Sequence, residues 1–381
     1  MMNRNEVIHI NKKVLFTATI TLHIKTFHLP YLKWFKEQGY EVHVAAKNDF
    51  INEPCIIPNC DKYYDIKFAR FPFSKVNINA YKQLKKLIKE NNYDIIHCHT
   101  PVAGVLTRLA ARNNKNTTVI YTAHGFHFFK GAPLINWIIY YPVERFCARY
   151  TDKLITINKE DYGRAKRFKL RNNGKVYYVP GVGIDLEKIQ DLKVDVKQKK
   201  KELGIQENTL VLLSVGELNK NKNHEIVLQA LNKLKVKNFI YLICGRGVLK
   251  EYLERKIQEF HLTNKVKLLG YRSDVIEILK IADLFIFPSK REGLPVSVIE
   301  AMAAGLPVIA SNVRGNRDLI AKENLFESDD AAVLASVIEK QLELIKQHKL
   351  RKVTYKNLEQ YLLKNVLKQM ADIYEENINA K

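Results

Sequence analysis

The chain has 381 residues, 46% of them hydrophobic, and a formal net charge of +22. That length favours two domains, and the apolar content is enough for two cores. No run of about 18 apolar residues occurs, and residues 1–6 lack the apolar core of a signal peptide, so neither a spanning helix nor a secretory leader is predicted. Five scattered cysteines favour a reducing, cytoplasmic environment.

The positive charge is concentrated in the first half of the chain. Residues 1–180 hold 29 Lys and Arg against 13 Asp and Glu, which accounts for +16 of the total. Such a field favours phosphate-rich partners, either an anionic bilayer surface or a nucleic acid. The alternative is that the charge serves only solubility.

The first half alternates apolar strands with amphipathic helices. The predicted strands are 14–16, 41–46, 94–97, 118–122, 153–157 and 176–179. The predicted helices are 29–38, 81–91, 103–112 and 143–150. This alternation predicts a parallel sheet with right-handed crossovers.

A break at residues 180–185 and a Lys-rich stretch at 191–201 indicate a domain boundary. A second alternation follows, with strands at 210–215, 239–243, 266–269, 283–287 and 308–310 and a charged helical tail over about 331–379. We therefore predict two doubly wound α/β domains, 1–185 and 205–355, with a C-terminal helix within 356–381 that packs back on the first. In such folds ligands bind beyond the carboxyl ends of the strands, here in a cleft between the domains.

Two glutamates, Glu292 and Glu300, stand eight positions apart after the strand 283–287. A helix is predicted to start near Pro295, which places Glu292 in the loop before it and Glu300 about a turn inside it. The free backbone N–H groups of residues 293–297 then point between the two carboxylates. A polyanion with hydroxyls on both sides fits there, which describes a sugar nucleotide.

Two short patterns of cysteine and histidine raise the question of a zinc site. Cys55 and Cys60 are separated by four residues, and His97-Cys98-His99 ends a predicted strand. Neither spacing is a recognised ligand pattern, so no metal is predicted.

Taken in order, these motifs resemble the family-4 nucleotide-sugar glycosyltransferases of the GT-B fold. The resemblance covers most of the chain and is densest over residues 209–320. It rests on Val215-Gly216, Lys222-Asn223, Gly245-Arg246-Gly247, Gly270 to Asp274, Ala282-Asp283, Pro288-Ser289, Glu292 to Val308, Gly315-Asn316 and Asp318 to Ile320. The stretch Ala123 to Pro133, followed by Tyr141-Pro142 and Glu144, is similar to the subset that builds capsular polysaccharides and exopolysaccharides.

The resemblance implies a role for individual residues. Catalytic roles fall on His124, which is expected to reach the donor sugar from across the cleft, on Lys222, which neutralises the departing diphosphate, and on Glu292, which binds sugar hydroxyls. Glu300 is expected to accept hydrogen bonds from the ribose. The remaining residues of the implied donor site are Gly216, Arg246, Tyr271, Arg272, Gly293 and Leu294. The family also implies retention of anomeric configuration, no cofactor and no metal.

Two departures from the family pattern affect these expectations. Glu217 stands where the family commonly has an arginine, so Arg246 or another base is expected to replace it, or Glu217 to point away. The stretch Thr17 to Lys25 stands where the family has a glycine-rich loop. We therefore take His23 and Lys25, together with Glu144, as candidate acceptor residues for a phosphate-bearing acceptor.

Three stretches of the first half, residues 28–36, 62–75 and 126–141, mix aromatic and basic residues. Such residues suit a bilayer interface, although the same aromatics would also suit a domain core. The expected function is transfer of a hexosamine-type sugar from a UDP-sugar to a polyprenyl diphosphate-linked saccharide, at the cytoplasmic face of the cell membrane and with no nucleic-acid partner. The alternatives are another GT-B enzyme, such as a nucleotide-sugar epimerase or a phosphorylase, and a basic nucleic-acid-binding protein.

Overall fold

A computed structural model describes residues 12–50, 54–327, 329–347, 353, 355 and 358–376. The outer ends of the predicted domains, the leader prediction at residues 1–6 and parts of the predicted tail lie outside these residues. The chain divides into two compact units. The first comprises Met1–Val182 with Leu367–Lys381, and the second comprises Gly183–Val366.

The first unit is built on a seven-stranded parallel sheet with the order β3-β2-β1-β4-β5-β6-β7. Its strands are β1 (Lys13–Ile20), β2 (Glu41–Lys47), β3 (Lys62–Asp65), β4 (Ile95–His99), β5 (Thr118–Ala123), β6 (Lys153–Thr156) and β7 (Lys175–Tyr178). Its connecting helices are α1 (Thr21–Phe27), α2 (Leu29–Glu37), α3 (Val76–Asn91), α4 (Pro101–Ala111), α5 (Leu134–Ala148) and α6 (Lys159–Ala165). The strand order reverses between β1 and β4, and this is the switch point at which such sheets bind ligands.

Local sequence explains several boundaries in this unit. β4 is buried along its whole length, as expected of a strand covered by helices on both faces. Pro101 occupies the start of α4, where its missing N–H costs nothing. Asn158 caps α6 by accepting a hydrogen bond from the Asp161 amide at 2.8 Å.

The second unit has a six-stranded parallel sheet with the order β10-β9-β8-β11-β12-β13. Its strands are β8 (Leu210–Val215), β9 (Phe239–Cys244), β10 (Val266–Gly270), β11 (Leu284–Phe287), β12 (Val308–Ser311) and β13 (Leu325–Phe326). Its helices are α7 (Leu186–Asp191), α8 (Val196–Glu202), α9 (His224–Lys233), α10 (Lys250–Glu259), α11 (Val275–Ile281), α12 (Val296–Ala303), α13 (Arg314–Leu319) and α14 (Ala331–Lys346). The order reverses between β8 and β11. The predicted class, two doubly wound α/β domains, is confirmed.

The last helix, α15 (Leu363–Glu375), begins in the second unit, and from Leu367 onward the chain belongs to the first. There the Tyr374 ring stacks on Trp34 with centroids 5.4 Å apart, and its hydroxyl lies 2.8 Å from His97 Nδ1. The buried ammonium of Lys153 donates to the carbonyl of Ile373. These contacts join the end of the chain to β4, β6 and α2.

Several details differ from the sequence predictions. The first strand, predicted at 14–16, continues to Ile20, and α1 begins at Thr21, so a strand end and a helix stand where the family has its glycine-rich loop. Strand β3 was not predicted, since Lys62–Asp65 is only half-buried at the edge of the sheet. The Lys-rich stretch 191–201, predicted to be the domain boundary, contains most of helix α8. The side chain of Asp195 caps this helix by accepting hydrogen bonds from the amides of Lys197 and Gln198. Among the described residues, no helix combines the length and the apolar character that crossing a bilayer demands.

Candidate active site

In the second unit, two loops meet beyond the carboxyl ends of β8 and β11, at the switch point of the sheet. The side-chain amide of Asn221 donates to the carbonyl of Arg291 at 3.0 Å. The amide of Lys290 donates back to the carbonyl of Asn221 at 2.8 Å. The two loops are therefore fixed to each other, and the residues they carry hold a defined position.

These loops bring Lys222 and Glu292 together. The ammonium of Lys222 lies 2.8 Å from Glu292 Oε1, and the two side chains are only 21% and 13% exposed. The same ammonium stands 4.7 Å from the centre of the Phe287 ring. The Lys222 alkyl chain passes so close to Gly216 that a Cβ there would lie 3.2 Å from its Cδ atom. A glycine at 216 therefore gives the lysine room to reach its carboxylate.

The start of helix α12 leaves its first amides open. Pro295 occupies the cap position, no side chain caps the helix, and its first turn holds no acidic residue. The first amides of a helix have no intrahelical acceptor, so they can bind an anion. The preceding loop is held by Arg314, whose Nε donates to the Glu292 carbonyl at 2.8 Å. A Cβ on Gly315 would lie 2.3 Å from the carbonyl oxygen of Gly293, so only glycine permits this approach.

Glu300 lies one turn further along the same helix and is half-buried. Its carboxylate has no hydrogen-bond or ion-pair partner within the described part of the chain. Burial raises the pKa of this carboxyl to about 7. An acid that is desolvated without a partner is typical of a group awaiting a ligand. Glu292 and Glu300 thus differ, because the first is paired and the second is not.

The remaining implied donor residues flank the ends of β9 and β10. The Arg246 guanidinium lies 5.4 Å from the centre of the Tyr271 ring, and that ring is 74% exposed. Arg272 is committed to Asp274, with Nε 2.7 Å from Oδ1, and Lys199 binds the same carboxylate at 2.6 Å. The exposed pair of Arg246 and Tyr271 is therefore available to a ligand, whereas the Arg272 side chain is used within the fold.

Glu217 follows Gly216 and is exposed. Its Oε2 accepts a hydrogen bond from Asn219 Nδ2 at 2.8 Å, while Asn219 Oδ1 accepts from the Lys222 amide at 2.9 Å. Glu217 thus helps to hold the turn that presents Lys222. The nearby Gly245 contacts backbone, since a Cβ there would lie 1.8 Å from the Gly216 carbonyl oxygen.

In the first unit, four histidines converge at the switch point. His23 lies in α1, His28 between α1 and α2, His99 at the end of β4 and His124 directly after β5. His23 Nε2 is 3.4 Å from His124 Nε2, which is 3.3 Å from His99 Nδ1. The His28 ring stacks on His99 with centroids 3.8 Å apart.

Burial keeps these imidazoles neutral. It lowers the pKa of His23 to about 4 and holds the pKa of His28, His99 and His124 well below the usual value, with the neighbouring histidines adding to the effect. Neutral rings act as hydrogen-bond donors and acceptors or as metal ligands, but they supply no positive charge. His28 has both ring nitrogens buried without a partner in the described structure.

Two predicted acceptor residues have other contacts in this unit. The Lys25 ammonium stands over the Phe50 ring, 4.1 Å from its centre. Glu144 is buried, with one oxygen 2.8 Å from Arg108 Nη2 and the other accepting from the Tyr121 hydroxyl at 3.2 Å. Both oxygens of Glu144 are therefore occupied, and its acceptor role remains a prediction.

The described residues contain one group of three or more side chains placed to share a metal ion, namely the four histidines, whose ligand atoms lie within 4.8 Å of one another. Imidazole nitrogens are common zinc ligands. The cysteines of the two short patterns are not part of such a group in the described chain. Cys60 Sγ contacts the Lys62 carbonyl, and Cys98 Sγ contacts the Ile120 carbonyl. His97 instead bridges the hydroxyls of Thr122 and Tyr374.

Sequence reasoning missed the role of His28 and His99 in this group and the ion pair of Arg108 with Glu144. His99 carried a signal, because it ends a strand next to the one that precedes His124. His28 carried none, since a lone histidine before an amphipathic helix is uninformative. Thr19 and Thr100 were also missed, and their hydroxyls meet at 2.7 Å across the switch point.

Comparisons with known proteins agree with this architecture. The family described as "Glycosyl transferase 4-like" matches residues 13–158, and "Glycosyl transferases group 1" matches residues 195–360. The chain is 41% identical over 376 residues to "Putative glycosyltransferase EpsD" of Bacillus subtilis, which covers 96% of this chain and 97% of that protein.

A second relative is the UDP-Gal:alpha-D-GlcNAc-diphosphoundecaprenol alpha-1,3-galactosyltransferase of Escherichia coli, 34% identical over 65% of this chain and 66% of its own. Among solved structures, Anabaena HepE in complex with UDP and glucose is similar, with a TM-score of 0.75, 19% identity and coverage of 96% of this chain and all of the other. The chain therefore belongs to the family-4-like, group 1 glycosyltransferases of the GT-B fold and is a sugar-transferring enzyme.

Proposed function

We propose that this enzyme moves a hexosamine-type sugar from a UDP-sugar to a polyprenyl diphosphate-linked saccharide during capsule or exopolysaccharide synthesis, with retention of anomeric configuration. The observation that carries the donor half of the proposal is the arrangement around α12. It combines a Lys–Glu pair, an uncapped helix start and an unpartnered glutamate within one short segment.

Each part of this segment suits one part of a UDP-sugar. The open amides at the start of α12 and the Lys222 ammonium bind the diphosphate. Glu300, once ionised, accepts hydrogen bonds from the two ribose hydroxyls. Glu292 binds hydroxyls of the sugar ring while keeping its contact with Lys222. Tyr271 and Arg246, which contact each other near the ends of β10 and β9, are proposed to stack on the uracil. The similar Anabaena protein binds UDP and glucose, which supports this choice of nucleotide.

In the transfer step, the bond between the anomeric carbon and the diphosphate oxygen breaks, and a bond from the acceptor oxygen forms on the same face. The acceptor hydroxyl loses its proton to an oxygen of the departing diphosphate. Charge grows on the diphosphate as this bond breaks, and Lys222 with the helix amides stabilises it. We propose no covalent sugar intermediate and no metal in this step. His124 is proposed to contact the donor sugar.

The acceptor half of the proposal rests on charge and on relatives. The first half of the chain carries most of the net positive charge, which suits a diphosphate on an anionic bilayer surface. The Escherichia coli relative is named for a diphosphoundecaprenol-linked acceptor, and so is a Campylobacter jejuni relative that is 27% identical over 93% of this chain. Binding at the cytoplasmic face of the membrane follows as part of the proposal.

A thermal-shift screen of UDP-, GDP- and ADP-sugars tests the donor half. A ligand at 100 times its dissociation constant raises the free energy of unfolding by about 2.7 kcal/mol, which is readily seen. We expect UDP-sugars to shift the melting temperature and the others not to. Release of UDP only when a lipid diphosphate-linked sugar is present supports transfer, whereas conversion of the UDP-sugar without acceptor favours an epimerase. Tight binding of RNA with no nucleotide shift would overturn the proposal.

A further inference from the structure

An apolar groove of about 210 Å³ opens on the first unit, apart from the histidine group. It lies between α4, α5 and the loop before α3. Its walls are mostly aliphatic and aromatic, and they include Pro72, Phe73, Val102, Val105, Leu106 and Ile139. A cavity of this kind selects an apolar ligand.

The charged residues beneath the groove are mostly bound to one another. Glu144 is bound by Arg108 and by the Tyr121 hydroxyl, and the Arg108 guanidinium lies over the Tyr121 ring, 3.9 Å from its centre. Arg108 Nε also donates to the Gly104 carbonyl at 2.9 Å, while its buried Nη1 has no hydrogen-bond partner within the described chain. The other polar atoms of the ion pair are used within the fold, so the groove floor presents mainly carbon to its occupant.

The groove adjoins a second cavity of about 330 Å³. The two cavities share Pro72, Pro101, Val102, His127 and Tyr140. To these the second cavity adds Ile20 and four polar residues, Thr19, His23, Arg70 and Thr100. Arg70 is exposed and makes no hydrogen bond or ion pair within the described chain, so its guanidinium is available to an anion.

The groove wall continues into exposed apolar surface. Phe73, which lines the groove, is 71% exposed, and its neighbour Phe71 is 65% exposed with ring centroids 5.7 Å apart. On α5, Ile138 is 61% exposed beside the lining residue Ile139. Exposed aromatic and aliphatic side chains next to basic residues are typical of a surface that meets lipid.

We infer that this groove binds the first isoprene units of a polyprenyl diphosphate acceptor, with Arg70 binding the diphosphate in the adjoining second cavity. The inference rests on the proposed function and adds a location for the lipid. Apolar walls, a floor that presents mainly carbon, a cationic residue at one end and a lipid-compatible rim match an amphiphile with an apolar chain and an anionic head.

Binding of soluble probes tests this inference without requiring catalysis. Farnesyl diphosphate, farnesol, inorganic diphosphate and dihexanoyl phosphatidylglycerol are titrated onto the full-length protein by calorimetry below their micellar concentrations. We expect farnesyl diphosphate to bind at least about tenfold more tightly than farnesol or diphosphate alone, because only it uses both cavities. Equal affinity for the phosphatidylglycerol would assign the groove to membrane lipid and overturn the inference.

Two variants locate the sites. Val105→Trp fills the groove, so farnesyl diphosphate should no longer bind this variant more tightly than diphosphate does. Arg70→Ala removes the cation, so farnesyl diphosphate should no longer bind that variant more tightly than farnesol does. Val333→Trp is the matched control, because Val333 is 44% exposed on α14 in the second unit. If Val105→Trp binds farnesyl diphosphate as the parent does, the groove is not the lipid site.

A kinetic series separates this inference from the proposed function. GlcNAc diphosphates carrying isoprenyl, geranyl and farnesyl chains serve as acceptors with a UDP-sugar. We expect the KM for the acceptor to fall as its isoprenyl chain lengthens, at constant kcat. In Val105→Trp this trend should vanish, while the thermal shift caused by UDP is retained. Sugar transfer whose KM does not depend on chain length would overturn the assignment of the groove as the lipid site and leave the proposed function intact. Loss of the UDP shift in the parent protein would instead overturn the proposed function.

Discussion

Burial shifts the pKa of titratable groups in both units, but in opposite directions. In the second unit, burial raises the pKa of Glu300 to about 7, into the physiological range. In the first unit, burial lowers the pKa of His23 to about 4 and holds that of its three histidine neighbours well below the usual value. Desolvation penalises the charged form, so it moves an acid up and a base down.

This difference identifies which group responds to protons near neutrality. Histidine is usually the first residue considered for a pH effect around pH 7. Here the four histidines of the first unit stay neutral over that range, and Glu300 on α12 titrates instead. In the proposed reaction the donor site of the second unit therefore supplies charged groups, while the histidine group of the first unit supplies neutral ones.

The largest effect that this comparison predicts comes from removing a charge in the second unit. Lys222→Ala should lower kcat by about 10²- to 10³-fold, because the ammonium stabilises charge that develops on the diphosphate. Steady-state kinetics with a UDP-sugar and a lipid-linked acceptor measure it. Lys220→Ala, an exposed lysine two residues away, is the matched control. A parent-like kcat in Lys222→Ala would show that the diphosphate is neutralised elsewhere.

The second prediction concerns the unpartnered glutamate. Glu300→Ala should weaken UDP binding by about 100-fold, since it removes two hydrogen bonds to a charged acceptor, and should abolish the UDP thermal shift. Glu292→Ala should spare the shift for UDP itself and impair turnover. If both variants transfer sugar at the parent rate, these two carboxylates do not belong to the donor site.

The third prediction is a pH dependence of donor binding. In the proposed site the ionised carboxylate of Glu300 accepts hydrogen bonds from the ribose hydroxyls, so affinity should be full well above pH 7 and fall as pH drops through the raised pKa, by about tenfold between pH 8 and pH 6. Calorimetry with uridine measures this without titrating phosphate. Glu300→Gln should bind weakly at all pH values and lose the dependence. A dependence that persists in this variant would point to another group.

The smallest effect is expected at the apolar surface of the first unit. The double variant Phe71→Ser, Phe73→Ser should weaken binding to anionic vesicles several-fold, because two exposed rings no longer enter the interface. Co-sedimentation measures it, and Val333→Ser is the control for loss of an exposed apolar side chain. Binding that ignores both anionic lipid and salt concentration would argue against the electrostatic part of the membrane proposal.

The segment proposed to bind the donor, Glu292 to Glu300, could be predicted from the sequence because its residues are close together along the chain. Glu292, the helix start and Glu300 lie within one strand–loop–helix unit, so local periodicity fixes their relation. The same holds for the alternation of strands and helices, which the structure reproduces in both sheets. The contact of Lys222 with Glu292 spans 70 positions and was not predicted, since the resemblance implied only a separate role for each residue toward the donor.

The histidine group could not be read in this way. His23 and His124 are 101 positions apart, and they meet because β1, β4 and β5 lie side by side in the sheet. Strand order is a tertiary property that hydrophobic periodicity does not encode. The pairing of Glu144 with Arg108 was missed for the same reason, since both residues look like ordinary helix charges until α4 and α5 are placed together.

The course of α15 has a consequence for protein engineering. Because the chain returns to the first unit at Leu367, residues 183–366 are in effect an insertion within that unit. A fragment ending at Val182 would lack Tyr374 and the Ile373 carbonyl, and would leave His97 and Lys153 without these partners. Chimaeras that exchange donor specificity between relatives therefore need two junctions, so that the recipient keeps its own final helical turns.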